Sequence, residues 1–239
     1  MSVYHITYLE GLSEICFYFD GGCDFSCHGC ITDFNPFDCH LDKKVVPIKN
    51  KKLSVEQVLS YLKSLAPKRA VFLGKEPTHD IDFLPLAKVL KEHFSSYNIL
   101  LTNGYRYVND NAINEVCVSI KAISKEIFKD FTGRDNPEQV LTNFKRYKAN
   151  PQLEVRAESI FIPDYIDQDE IEKIAKFIAS VNDSIPFRID GYIPFGKDAF
   201  RRPSKDEMEE IKMIARRYLE NVSILHSEVK LKHKVRKIY

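Results

Sequence analysis

Residues 15–30 read Ile15-Cys-Phe-Tyr-Phe-Asp-Gly-Gly-Cys23-Asp-Phe-Ser-Cys27-His-Gly-Cys30. The first five residues form a short apolar and aromatic run, which predicts a buried strand. A C-x3-C-x2-C triplet, made of Cys23, Cys27 and Cys30, follows that strand directly. Three thiolates at this spacing can hold three irons of a [4Fe–4S] cluster and leave the fourth iron open to a substrate.

The composition is that of a globular protein. The chain has 239 residues, of which 44% are hydrophobic and 29% charged, and its net charge is +1. This charge gives no general argument for a nucleic-acid partner. We expect a single domain over residues 1–239, with a core at about 14–220 and a basic strand or tail over 221–239. Because neither a membrane-spanning segment nor a signal-peptide pattern is found, we expect a cytoplasmic protein that does not bind membranes.

Short apolar runs alternate with longer segments of helical period, which is typical of parallel βαβ units. The predicted strands are Ile15–Phe19, Ala70–Gly74, Asn98–Thr102, Val116–Lys121, Glu154–Ile162 and Phe187–Ile193, with a weaker signal at Val222–His226. The predicted helices are Ser54–Leu65, Phe83–His93, Pro137–Lys148, Gln168–Val181 and Ser204–Leu219. Six repeats fall short of the eight that close a barrel. We therefore predict an α/β fold, an open, partial (β/α)6 TIM-like barrel with parallel strands.

The triplet has a zinc alternative. A zinc knuckle could recruit Cys39, His28 or His40 as its fourth ligand. Structural zinc sites normally pair two knuckles, and only one is present here, so the residues favour iron and sulfur. The segment Ile31–Lys52, which follows the triplet, lacks periodicity and has the length of a functional loop.

Two further motifs follow the next two predicted strands. Gly74-Lys-Glu76-Pro77 lies at the end of the second strand, and Thr102-Asn103-Gly104 lies at the end of the third. Parallel α/β folds bind ligands at this end of their strands. Either motif alone is a common turn, so only their order after the triplet indicates a site.

In that order the three motifs resemble those of the radical S-adenosylmethionine superfamily. Two more stretches, Ser119–Lys121 followed by Phe131–Gly133, and Ile162–Asp167, resemble segments of the glycyl-radical-enzyme activating enzymes, the branch of pyruvate formate-lyase activating enzyme. The similarity extends from about Ile15 to Met208. It implies a radical enzyme with a [4Fe–4S] cluster and S-adenosylmethionine as cofactors.

The resemblance also implies roles for single residues, although it identifies no catalytic one. Cys23, Cys27 and Cys30 would ligate the cluster. The residues expected to bind S-adenosylmethionine are Gly74, Glu76, Asn103, Ser119, Lys121, Glu158, Ile193 and Pro194. Of these, Gly74 and Glu76 would hold the methionyl amino group. Ile193 and Pro194 would lie near the adenine.

Two positions are less well defined. Arg156 and Glu158 would face the ribose or the substrate according to the register of their strand. Gly29 stands where the family usually has an aromatic residue, so the adenine must be packed by another side chain, such as His28 or Phe25.

The reaction implied is reductive cleavage of S-adenosylmethionine to methionine and a 5′-deoxyadenosyl radical, which abstracts hydrogen from a substrate. In this branch the substrate would be a glycine of a partner glycyl radical enzyme, and a ferredoxin or flavodoxin would supply the electron. One alternative is a small molecule or a tRNA base, as in 7-carboxy-7-deazaguanine synthases. A non-catalytic zinc or iron–sulfur module that binds a partner is the other.

The last eleven residues, 229–239, alternate apolar and basic side chains. Lys230, Lys232, Lys234 and Arg236 would share one face of a strand. Lysines on an edge strand mainly protect against aggregation, and we favour this reading over contact with nucleic acid.

Overall fold

The computed structural model describes residues 1–34, 37–38, 41, 53–194, 200–229 and 233–239. The strands in these residues are β1 (Val3–Leu9), β2 (Glu14–Phe19), β3 (Arg69–Gly74), β4 (Tyr97–Thr102), β5 (Glu115–Ser119), β6 (Glu154–Phe161), β7 (Phe187–Gly191), β8 (Val222–Leu225) and β9 (Val235–Lys237). The α-helices are α1 (Ile31–Phe34), α2 (Val55–Leu62), α3 (Phe83–Phe94), α4 (Lys125–Thr132), α5 (Pro137–Ala149), α6 (Gln168–Val181) and α7 (Lys205–Ala215). Cys39, His40 and most of the segment 31–52 lie outside the described residues, as do Lys230 and Lys232.

All these strands belong to one sheet with the order β8-β7-β6-β5-β4-β3-β2-β1-β9. From β2 to β8 each strand runs parallel to the next one along the chain. β1 is antiparallel to β2, and β9 is antiparallel to β1. Within the described residues the sheet is open, because β8 and β9 form separate edges. The predicted open α/β architecture with mainly parallel strands is confirmed.

The weaker predicted strand near Val222 is confirmed as β8, and it gives the parallel part of the sheet seven strands. Other elements differ from the prediction. β1 was missed, since His5 and Thr7 are polar yet fully buried and so disguise the alternation of this strand. The segment between β5 and β6 contains two helices, not one: α4 ends at Gly133 with a left-handed φ of 74° before α5 begins.

Strands β2–β5 are largely buried on both faces, as is usual in parallel sheets, whereas β6 and β7 alternate buried and partly exposed residues. One face packs against the helices in the main core; its buried residues include Phe17, Phe72, Leu100, Val118 and Phe187. The opposite face has a smaller apolar cluster, made of Tyr4, Cys16, Tyr18, Val71 and Ile99. The strand registers place Cys117, Glu158 and Arg188 on this second face. The second face is therefore apolar at β2–β4 and charged at β5–β7.

Two of the described helices begin with a capping box. At α2, Ser54 and Gln57 exchange hydrogen bonds of 2.8 and 3.2 Å between their side chains and backbone N–H groups. Ser204 caps α7 in the same way with Glu207. Such boxes satisfy backbone donors that the first helical turn leaves unpaired. None of the helices in the described part of the chain has both the length and the apolar composition needed to cross a bilayer.

β9 covers the free edge of β1. Thr7, Tyr8 and Leu9 pair with Lys237, Arg236 and Val235. Beyond this ladder, the backbone N–H of Ile6 donates to the Tyr239 carbonyl at 3.0 Å. Of the predicted basic face, Arg236 lies in β9 at the edge of the sheet, where charged side chains protect against aggregation, and Lys230 and Lys232 lie outside the described residues.

Deletion of residues 233–239 should lower the free energy of unfolding by roughly 1–3 kcal/mol, because β1 loses its hydrogen-bonded neighbour. Urea denaturation measures this change. The matched control is Lys234→Ala with Arg236→Ala, which keeps the backbone pairing and should stay within about 0.5 kcal/mol of the parent. Equal stability of the deletion and the parent would contradict the expectation.

Candidate active site

The cysteine triplet lies in the loop between β2 and α1, at the carboxyl end of the parallel strands. Hydrogen bonds join this loop to the end of α4: the N–H of Ser26 donates to the Thr132 carbonyl at 2.9 Å, and the N–H of His28 to the Phe131 carbonyl at 3.0 Å. Phe25 is buried between the rings of Tyr105 and Phe128. The Phe-Thr-Gly stretch and the triplet, far apart in sequence, are therefore neighbours.

Asp24 connects the cysteine loop to the segments that follow β3 and β4. Its carboxylate lies 2.8 Å from His79 Nε2, after β3, and 3.0 Å from Arg106 Nε, after β4. Its backbone carbonyl accepts from Arg134 Nε at 2.6 Å. Burial alone would raise the pKa of Asp24, but the hydrogen bonds from Arg106 and His79 outweigh it and lower the pKa. The loop backbone is thus held by an ionised carboxylate.

The three thiols are partly buried and have different partners. Cys23 Sγ accepts from the Asn103 side-chain amide at 3.3 Å and from the Phe25 N–H at 3.4 Å. Cys30 Sγ lies 3.0 Å from the Thr32 hydroxyl. Burial raises the pKa of Cys23, and it raises that of Cys27 to about 12, although the charge of Lys121 opposes the shift at Cys27. Bound iron would supply the positive charge that deprotonates them.

This donor set fits an iron–sulfur cluster better than a single metal ion. Within the described ranges no three His, Cys, Asp or Glu side chains could hold one ion. A [4Fe–4S] cluster takes its thiolates on separate irons, so the sulfurs need not converge on one point. The Cys30 thiol is nevertheless close enough to act electrostatically on both Cys23 and Cys27. Cys39, the alternative zinc ligand, lies outside the described residues.

The motifs after β3 and β4 meet at a buried carboxylate. Glu76 is 0% exposed. Its Oε1 accepts from the hydroxyls of Thr78 and Thr102 at 2.8 and 2.9 Å, and its Oε2 accepts from the N–H of Asn103 at 2.8 Å. Burial raises the pKa of Glu76, while these hydrogen bonds oppose the increase. With both oxygens engaged, Glu76 holds the two strand ends together instead of presenting its carboxylate to solvent.

Gly74 begins the first of these motifs at a close approach of two strands. Its φ is 117°, and a Cβ there would lie 2.4 Å from the Phe19 carbonyl oxygen. The next N–H, that of Lys75, donates to the same carbonyl at 2.9 Å. Only glycine fits this position, which explains the Gly of the motif.

The predicted residues of β5 and β6 form a second, charged group. Lys121 Nζ donates to Ser119 Oγ at 2.6 Å. Glu158 Oε2 accepts from Arg188 at 2.7 Å and lies 3.6 Å from the Cys117 thiol. Burial tends to raise the pKa of Glu158, but the charges of Arg188 and Lys121 lower it overall. The charge of Lys121 also opposes the raised pKa of Cys27, so Lys121 lies near the cysteines as well as near Ser119.

Arg156 does not join this group. It forms an ion pair with Glu115 nearer the start of the strands. The register therefore places Glu158, one layer further along β6, closer to the cysteine loop than Arg156. Two members of the charged group, Arg188 and Asp190 on β7, were not predicted, although their i, i+2 spacing places them on one face.

Gly29 has a structural explanation. Its φ is 67°, and a Cβ there would lie 2.2 Å from the hydroxyl oxygen of Tyr192. Tyr192, which is 1% exposed and directly follows β7, thus brings an aromatic ring beside the residue that precedes Cys30. Ile193 and Pro194, the predicted adenine neighbours, are both exposed. Sequence reasoning missed Tyr192 because nothing in the local pattern links it to the triplet.

A cysteine triplet after the first parallel strand of an open α/β sheet, with the turns of the next two strands beside it, defines an iron–sulfur enzyme. The family model described as "Radical SAM superfamily" matches residues 18–178. The chain belongs to this superfamily, whose members use a [4Fe–4S] cluster and S-adenosylmethionine.

Known proteins match along nearly the whole chain. Two proteins of Methanocaldococcus jannaschii are named as glycyl-radical enzyme activating enzymes. One is 29% identical over 234 residues, which cover 93% of this chain and 84% of its own, and the other is 26% identical over 238 residues, covering 92% and 91%. The crystal structure of QueE from Escherichia coli has the same fold, with a TM-score of 0.56 and 17% identity over 94% of this chain and 93% of its own.

Gly29→Ala should lower the free energy of unfolding by roughly 1–3 kcal/mol, because Cβ meets the Tyr192 hydroxyl and the left-handed φ disfavours an L side chain. Adding Tyr192→Phe should recover part of this loss, since the closest atom is removed. Gly21→Ala, in the same loop, is the control: its φ is not left-handed, and the nearest atom to its Cβ is the Ser2 hydroxyl oxygen at 2.7 Å, on a short side chain that can rotate about one bond. Denaturant titrations of the apoproteins compare the parent with these three variants, and an unchanged stability of Gly29→Ala would refute the packing.

Asp190 should make stability depend on pH. Burial and the charge of Glu158 raise its pKa to about 6, above the ordinary 3.8. A raised carboxyl pKa gives stability below pH 4 that is lost as the pH rises through 6. Asp190→Asn should therefore become more stable relative to the parent from pH 4 to pH 7, in urea denaturation. Asp135→Asn, at an exposed position, should run parallel to the parent; parallel curves for both would contradict the pKa shift.

Proposed function

We propose that this enzyme activates a glycyl radical enzyme by abstracting hydrogen from a glycine Cα of that partner. The observation that carries the proposal is the similarity to two proteins named as activating enzymes, which extends over 93% and 92% of this chain. The Phe131–Gly133 stretch supports it, because its carbonyls hold the cysteine loop. A ferredoxin or flavodoxin would supply the electron, and the reducing cytoplasm suits the thiols.

In this proposal Cys23, Cys27 and Cys30 hold the cluster. When bound, the cluster supplies the electron that cleaves S-adenosylmethionine to methionine and a 5′-deoxyadenosyl radical. The protein contributes position and charge. Gly74 brings the backbone after β3 close to β2, and Glu76 aligns that turn with Asn103.

The charged group that contains Lys121, Ser119 and Glu158 provides a polar surface near the cysteine loop. Lys121 and Glu158 are oppositely charged and partly buried, so this surface can pair with both an anionic and a cationic part of S-adenosylmethionine. Tyr192 is the aromatic side chain placed beside Gly29, and Ile193 and Pro194 follow it. We assign the adenine-binding position to Tyr192, Ile193 and Pro194. In this assignment Tyr192, rather than His28 or Phe25, packs against the adenine.

The cleavage reaction is tested with anaerobically reconstituted protein, dithionite and S-adenosylmethionine. 5′-Deoxyadenosine should form, and Cys23→Ala, Cys27→Ala and Cys30→Ala should each abolish its formation. Cys16→Ala is the matched control, because Cys16 is buried on the second face of the sheet and should leave the yield unchanged. Absence of 5′-deoxyadenosine despite intact cluster absorbance would reject the proposal.

The partner is tested by electron paramagnetic resonance. Incubation with an anaerobic extract of the source cells should generate a radical on a polypeptide, and labelling that extract with [2-13C]glycine should broaden the signal. Consumption of a small molecule or modification of a tRNA base, with no polypeptide radical, would favour the alternative substrate class instead.

A further inference from the structure

The turn Thr102–Gly104 places an amide donor directly on one of the three cysteines. Asn103 is 7% exposed, and its Nδ2 lies 3.3 Å from Cys23 Sγ. The equivalent contact at Cys30 is a hydroxyl, that of Thr32. Cys23 also accepts the Phe25 N–H, so it receives two N–H donors. The three sulfurs are therefore electrostatically unequal before any ligand is considered.

The orientation of the Asn103 amide follows from its other hydrogen bond. Its Oδ1 accepts from the backbone N–H of Tyr105 at 2.8 Å. A backbone N–H can only donate, so the oxygen of the amide must face Tyr105 and the NH2 group must face the sulfur. The flipped amide would place two donors against each other.

The backbone of the turn is equally constrained. The N–H of Asn103 donates to the buried Glu76 carboxylate at 2.8 Å, and the N–H of Gly104 donates to Thr102 Oγ1 at 3.1 Å. From α5, the Asn143 side chain donates to the carbonyls of Gly104 and Tyr105 at 2.9 and 3.0 Å. Every peptide of the turn is thus held, and the donor cannot swing away from Cys23 without breaking this network.

We propose that Asn103 is a positioning residue that raises the reduction potential of the cluster by donating its side-chain N–H to the sulfur of Cys23. The proposal rests on the ligation of the cluster by Cys23. Reduction adds negative charge to the cluster and its sulfurs, and an N–H donor stabilises that charge. Such hydrogen bonds to cysteine sulfur are among the determinants of iron–sulfur potentials. Glu76 acts one step further out, by fixing the backbone that carries the donor.

The test is a redox titration of the reconstituted protein, followed by electron paramagnetic resonance. Asn103→Leu removes the donor at similar volume, and Asn103→Asp keeps the acceptor for Tyr105 but turns an oxygen toward the sulfur. Both should lower the ratio of reduced to oxidised cluster at a fixed potential, about tenfold for Asn103→Leu and more for Asn103→Asp. Tenfold corresponds to about 59 mV for a one-electron couple. Iron and sulfide content should match the parent.

Thr78→Val is the matched control. Thr78 donates to the same Glu76 oxygen as Thr102 but makes no contact with sulfur, so its loss should leave the potential unchanged. An unchanged potential in Asn103→Leu with a full cluster overturns the proposal. So does a Thr78→Val shift as large as that of Asn103→Leu, because the effect would then come from general loosening.

If Asn103→Leu does not retain a cluster, the inference is tested on the parent protein instead. With 15N-labelled asparagine side chains, electron–nuclear double resonance of the reduced cluster should show a 15N coupling, and its absence overturns the proposal. A separate measurement tests whether Cys23 ligates the cluster. If Cys23→Ala keeps the full iron content, Cys23 is not a ligand, and both its assignment and this inference are wrong.

Discussion

A buried carboxylate organises the functional end of this sheet. Glu76 follows β3, away from solvent, and a carboxyl group in such a place is tolerated only where hydrogen bonds replace water. The donors that replace water come from the turn after β3 and from the end of β4. Glu76 therefore holds the ends of β3 and β4 together. By binding the backbone of Asn103, it also fixes the residue whose side chain donates to Cys23. A glutamine there would present an amide to donors and could not satisfy all of them.

Much of the architecture could be predicted because parallel strands leave a clear signal. Strands β2–β5 contain short, nearly continuous apolar runs because both of their faces are buried, whereas β6 and β7 alternate apolar and polar residues. β1 broke this rule by burying His5 and Thr7, whose partners, the Tyr239 carbonyl and the Asp38 carboxylate, lie far away in sequence. α4 was hidden because it lacks the local capping box that marks α2, a helix of the same length, and the N–H groups of Ile123 and Ser124 that precede it donate instead to the distant Glu170. In both cases the missing information was tertiary.

The residues of the candidate site also differ in how far the sequence reveals them. Motifs whose function lies in the backbone, such as Gly74 and the Thr102–Gly104 turn, could be read from the order of residues. Positions defined by side chains from distant strands could not be predicted in this way. Tyr192 lies beside Gly29, and Arg188 and Asp190 belong to the charged group with Glu158. Asp164, within the Ile162–Asp167 stretch, adopts a left-handed φ of 65° although it is not a glycine. Aspartate is one of the few residues that tolerate this conformation.

The ties between the cysteine loop and its surroundings also bear on how the enzyme acquires iron. The backbone of the loop is held by α4 through Ser26 and His28, and by Asp24 through His79 and Arg106. None of these bonds involves a thiol, so the polypeptide itself bears the entropic cost of ordering the loop. Zinc fingers, by contrast, fold only when the metal binds. The cysteine loop is therefore ordered by its own hydrogen bonds, and an incoming cluster would meet a binding loop whose backbone is already in place.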